Sequence, residues 1–165
     1  PVDTPSALAT TVAGEGAAVQ QTLTLTEAQA QTHFPIPQPG YLPAGYRLRA
    51  VSSYSYPELP AWVPQPLFVE LVYEDFLGEE CRLRIYPIAL GDQASISGMN
   101  LEASPIWEVR DVRVNRHPGV LLRLGSEGAE DAWQEVVWEQ DDLILALSAT
   151  GMTDADLLNI ARSVQ

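Results

Sequence analysis

Glu70 and Glu74 are the residues of this chain whose type and spacing first suggest chemistry. Within Leu67-Phe68-Val69-Glu70-Leu71-Val72-Tyr73-Glu74, a period of two puts both carboxylates on one face of a strand. Two carboxyl groups about 5–9 Å apart can share acid and base work in glycoside hydrolysis. The competing reading is a solvated strand face opposite Arg82 and Arg84, held by cross-strand ion pairs, and we favour it. Further acids gather at Asp75, Glu79 and Glu80, and again at Glu127, Glu130 and Asp131.

The remaining reactive side chains form no recognisable constellation. His33 ends a short helical stretch and His117 stands in a turn beside Pro118-Gly119. A zinc site needs about three convergent protein ligands, and a nucleophile needs its base beside it. Cap and turn roles therefore suit both histidines better. Cys81 alternates with charges in Glu79-Glu80-Cys81-Arg82-Leu83-Arg84 and reads as an inward-facing small hydrophobe. As the only cysteine, it excludes a disulfide framework within the chain. Asp154 and Asp156 resemble part of a calcium loop but lack its Gly and Glu spacing, so they belong to the first turn of a helix. There is no nucleophile elbow around a serine and no phosphate-binding glycine loop. We expect no catalytic residue, no cofactor and no metal.

Aromatic residues offer a surface instead. Trp62, within Leu59-Pro60-Ala61-Trp62-Val63-Pro64, marks an apolar loop of the kind found at interfaces; folding back over the sheet edge is the alternative. Tyr54, Tyr56 and Phe68 flank that loop and complete the candidate interaction surface. Trp133 and Trp138 fall on opposite strand faces, one toward the core and one more exposed.

Most of the elements that must position these residues are strands. Alternation predicts strands near 46–55, 66–74, 81–88, 106–115, 120–124, 133–139 and 143–149. Turns at 74–79, 116–119 and 140–142 pair them into a meander rather than βαβ units. A polar loop fills 90–105 and an acidic loop 125–131. Thr24 with Glu27, or Thr26 with Gln29, fits a capping box for a helix over 26–33. That helix must stop before Pro35. Pro35, Pro37, Pro39 and Pro43 then hold the chain extended, with Phe34, Ile36, Tyr41 and Leu42 tucked against the sheet; a polyproline-type ligand is the other use of such a stretch. Thr153 caps a final helix whose Leu157, Leu158, Ile160, Ala161 and Val164 lie on one side. The expected fold is α+β: a twisted antiparallel sheet of six or seven strands, a short N-terminal helix, and a C-terminal helix on one face. Residues 1–21 read as a flexible leader and 22–165 as a single domain.

Charge narrows the partners. The chain holds 22 acidic residues against 9 basic ones, all Arg, for a net charge of −13. Nucleic acid demands a basic footprint and anionic lipid attracts basic clusters, so both are poor partners. Excess acid serves solubility. No stretch has the roughly 18 consecutive apolar residues of a membrane span. The chain opens on Pro1-Val2-Asp3-Thr4-Pro5, without Met or a signal peptide, which raises the expectation of a longer product with an upstream anchor or signal.

Several segments, in order, carry a family resemblance. These are Leu25-Thr26-Glu27-Ala28-Gln29, Phe34-Pro35-Ile36-Pro37, Tyr41-Leu42-Pro43-Ala44-Gly45-Tyr46-Arg47-Leu48, Val112-Arg113-Val114-Asn115-Arg116-His117-Pro118-Gly119, Trp138, and the terminal Thr153–Val164 run. Together, over roughly residues 22–164, they resemble the DUF4367-type domain and are similar to the C-terminal domain of periplasmic regulators of the RseB/MucB type and to parts of lipoprotein-carrier-like proteins. The Pro-rich insertion at 57–66 and the missing anchor depart from that pattern. The resemblance implies a bacterial extracytoplasmic location, a membrane-anchored ectodomain of an anti-sigma-like regulator or a lipoprotein, a non-enzymatic sensing or binding role in signalling, and no catalytic residues. The partner would be an unidentified protein or lipid, with membrane association only through the anchor. The alternative is a carrier that shields a lipid or acyl group in a cavity between sheet and helix.

Overall fold

Leu143-Ile144-Leu145-Ala146-Leu147 is apolar on both sides of the pleat, which suits a strand covered on both faces. The structure, a computed structural model, describes residues 18–59, 61, 63, 65–88, 108–125 and 132–165. In it this segment begins β8 (Leu143–Thr150), an interior strand of the sheet. Among the described residues the others are β1 (Val19–Leu23), β2 (Arg47–Ser55), β3 (Phe68–Glu74), β4 (Glu80–Pro87), β5 (Glu108–Val114), β6 (His117–Leu124) and β7 (Trp133–Gln140), with helices α1 (Leu25–Gln31) and α2 (Asp154–Arg162). The strands form one antiparallel sheet in the order β1-β2-β3-β4-β8-β7-β6-β5. Two four-strand meanders thus meet where β4 pairs with β8, Leu83 opposite Leu147.

The sheet has eight strands, not the expected six or seven. The additional one is β1, whose Gln20 pairs with Tyr54 and Leu23 with Val51. It takes Val19 to Gln21 out of the stretch read as a leader. Its signal was weak because an edge strand buries little, and four of its five residues are exposed. Residues 1–17, the loop 90–105 and most of the acidic loop lie outside the described residues.

Local chemistry sets the element ends. Thr24, rather than Thr26, caps α1: its hydroxyl accepts from Glu27 N at 3.2 Å, while Glu27 Oε2 accepts from Thr24 N at 2.7 Å. The helix runs over 25–31 instead of 26–33, and Thr32 closes it by donating its N–H to Ala28 O. Thr153 caps α2, accepting from Asp156 N, and Arg162 stands in the last turn, where the helix dipole favours a cation. The β5–β6 turn is Asn115-Arg116, tighter than the expected 116–119. Asn115 supplies the left-handed φ of 56°, and His117 already pairs with Val114. Gly119 follows because a Cβ there would lie 2.8 Å from Val137 O and 3.1 Å from Trp138 Cβ.

One main core fills the space between the sheet and both helices. Val69, Leu71, Leu83, Ile85, Leu121, Val136, Trp138, Leu145 and Leu147 meet Ala28 of α1 and Leu157, Ile160, Ala161 and Val164 of α2. Cys81 is a fully buried free thiol in this core, and burial pushes its pKa up to about 12. Trp138 lies here and Trp133 on the opposite face, as their spacing predicts. The proline stretch contributes Ile36, Phe34 and Leu42, but Tyr41 stays 47% exposed, contrary to expectation. Its backbone is tied to the chain end: Gln38 and Gln165 exchange two hydrogen bonds at 3.0 and 3.1 Å, and Gly40 N donates to Ser163 O at 2.9 Å. These bonds hold that end of the chain beside the proline segment and leave Tyr41 at the surface.

Candidate binding surface

The face of the sheet turned away from the helices carries the candidate site. Antiparallel pairing aligns Tyr54 of β2 with Phe68 of β3. Their rings stack at a centroid distance of 4.4 Å and an interplanar angle of 9°. Tyr86 of β4 extends the row, with its ring 4.9 Å from that of Phe68. Aromatic pairs at such distances are favourable beyond their buried area.

Beside this row runs an ion network. Glu70 is opposite Arg84 in the β3–β4 register. Its side chain, 6% exposed, accepts from Arg84 Nε at 2.9 Å, from the Tyr54 hydroxyl at 3.3 Å and from Arg82 at 3.5 Å. Arg82 also pairs closely with Glu80, and Arg84 reaches Glu135 of β7 at 4.0 Å. Burial raises the Tyr54 hydroxyl pKa, and the Glu70 charge adds to that rise. Burial also raises the Glu135 carboxyl, against the pull of Arg84. For Arg84, burial alone would lower the pKa, but its bond to Glu70 and the surrounding negative charges raise it.

Small side chains shape what lies between. Ala146 and Ser148 of β8 stand opposite Arg84 and Arg82, so little rises from the floor there. Beside them an open groove of about 430 Å³ is lined by Glu80, Arg82, Arg84, Trp133, Ser148 and Thr150. Ile144, Ala146 and Val137 form a small buried cluster with Tyr86 and Ile88 further along the same face.

The sequence-derived candidates are distributed unevenly over this surface. Tyr54 and Phe68 come together in the aromatic row. Tyr56 sits just beyond β2, clamped by Gln65, whose amide bonds both Tyr56 N and Tyr56 O at 3.1 and 3.4 Å. Trp62 lies outside the described residues. Tyr86, the third ring, was missed, although its alternation with Arg82 and Arg84 along β4 signals the shared face.

Glu70 and Glu74 do share a face, but a four-residue offset along a strand separates them by about 13 Å, beyond glycosidase spacing. Glu74 instead pairs with Arg49 at 3.0 Å. Glu70 is buried rather than solvated, because two guanidinium groups and the Tyr54 ring close over it. His33 follows α1 and His117 opens β6. Among the described residues no three His, Cys, Asp or Glu side chains converge to hold a metal, and no helix is long and apolar enough to cross a membrane.

Comparison with protein-family models, curated proteins and solved structures finds no match.

A second polar cluster works on the helix side. Asp154, at the start of α2, is buried and bonded to Arg123 at 2.6 Å and to Arg110. Arg123 also meets Glu108 at 3.3 Å. This cluster locks α2 to β5 and β6, at the end of the sheet away from the strands β2, β3 and β4 that carry the aromatic row. No local pattern signals it, since Asp154 reads as an ordinary first-turn acid.

Proposed function

We propose that this chain is a non-enzymatic sensing or binding module, presented outside the membrane as the ectodomain of an anchored, anti-sigma-like regulator or a lipoprotein. The observation that carries the reading is the helix-free face, where the Tyr54–Phe68–Tyr86 row and the Glu70–Arg84–Glu135 network are fixed on one rigid sheet. Aromatic and charged groups held in place before a partner arrives lose little conformational freedom on binding. Glu70, Glu80 and Glu135 are each held by a guanidinium group, an arrangement suited to recognition more than to proton transfer. The extracytoplasmic placement follows from the segment resemblance. Dense packing of Trp138, Leu147, Leu157 and Ile160 between sheet and α2 favours this reading over a lipid or acyl carrier.

Two measurements on the full gene product in intact cells test it. Protease added outside should remove this domain; a protected cytoplasmic domain discards the placement. A photo-crosslinking residue at Tyr54 should yield a partner adduct that the same residue at exposed Asn159 on α2 does not. Equal adducts from both positions would remove the helix-free face as the binding surface.

A further inference from the structure

The β3–β4 hairpin ends in a feature that the helix-free face does not explain. Phe76 is 79% and Leu77 73% exposed, although large apolar side chains adjoining one another at such exposure invite a partner. Their backbone is rigidly organised. Asp75 Oδ1 accepts from Leu77 N at 2.8 Å and from Glu79 N at 2.9 Å. Asp75 N donates to Glu79 O at 3.0 Å, and Gly78, at φ 88°, closes the turn by donating to Asp75 O at 3.3 Å. The Phe76 ring leans over Gly45, where a Cβ would come within 2.9 Å of its Cδ1. The tip therefore displays two apolar groups in a set geometry.

Its electrostatics select the counterpart. Glu74 and Glu80 are held by Arg49 and Arg82, but among the described residues no Arg pairs with Asp75 or Glu79. Glu79 also borders both surface grooves that flank the tip, one of which Asp156 lines as well. Charges from Asp75 and Glu79 add to the effect of burial in raising the nearby Tyr46 hydroxyl to about 12, a sign of the negative field at this end. An anionic bilayer would repel such a tip. A protein surface with an apolar pocket and a cationic rim fits it.

We propose that Phe76 and Leu77 form an anchoring prong that inserts into an apolar pocket bordered by Lys or Arg on a partner protein. This prong is separate from the aromatic row, so its failure would leave the reading of the helix-free face intact. The probe is a labelled amphipathic Leu/Lys helical peptide, with a Leu/Glu peptide and phosphatidylcholine vesicles as comparisons. The intact chain should bind the Leu/Lys peptide and not the Leu/Glu peptide, more weakly as salt rises. Phe76→Ser with Leu77→Ser should cost at least about tenfold in affinity, and Glu79→Gln several-fold. Leu77→Ser alone leaves the Phe76–Gly45 contact in place and should still lose affinity, which guards against a folding defect in the double variant. Unchanged affinity in the tip variants, or no binding by the unaltered chain, overturns the proposal. Tip-dependent binding to the vesicles overturns it in favour of a bilayer.

Discussion

Arg123 and Asp154 form an ion pair at 2.6 Å between side chains only 5% and 7% exposed, joining β6 to the first residue of α2. Arg110 closes on the same carboxylate from the edge strand β5. A buried charge stripped of its partner is costly, whereas replacing the whole pair by apolar groups often is not. Asp154→Ala should therefore lower the unfolding free energy by about 3–5 kcal/mol. The double change Arg123→Met with Asp154→Leu should recover much of that loss. Urea denaturation of the three proteins checks this; a double variant no better than Asp154→Ala would refute it.

Cys81 makes stability fall in alkali. Burial moves its thiol from an ordinary 9.0 to about 12. Between those values the native thiol keeps its proton while the unfolded thiol releases it, so unfolding is favoured as pH rises. The contribution is fully present below 9 and lost through about 12. Cys81→Ala should flatten the decline, by on the order of 1 kcal/mol per pH unit in that window. Denaturation midpoints followed from pH 8 to 11 test the slope, and parallel curves for the two proteins would contradict it.

Asp141 and Asp142 turn β7 into β8 with φ of 52° and 60°. A two-residue turn with both φ positive matches the hairpin twist but favours Asn-Gly. Left-handed backbone costs an ordinary L-residue roughly 1–2 kcal/mol. Asp141→Asn with Asp142→Gly should stabilise the protein by about 1 kcal/mol, which for a chain of this size raises Tm by about 2–4 °C. Calorimetry decides, and a lowered Tm would count against the assigned turn.

Gly119 allows β6 to pass close to Trp138. A methyl group there would meet the Val137 carbonyl at 2.8 Å, and backbone on the neighbouring strand yields poorly. Gly119→Ala should destabilise by about 1–3 kcal/mol and shift the Trp138 emission. An unaltered urea midpoint would show that the strand can move aside.

Much of this architecture was already written along the chain. Alternation in Cys81-Arg82-Leu83-Arg84-Ile85, the Thr24–Glu27 capping box, the Thr153 cap and the apolar side of α2 are short-range patterns. Each acts within a few residues, so the sequence alone determined seven of the eight strands, both helices, the inward Cys81 and the opposed Trp133 and Trp138. Only the tertiary structure decided which distant residues meet. β5 takes the far edge while β8 returns to β4; that order brings Arg84 to Glu135 across the small side chain of Ala146 and carries Asp154 to Arg123. Edge strand β1 likewise needed its partner β2 to become visible. Register and strand order come from burial summed over the whole sheet, and no local window contains that sum.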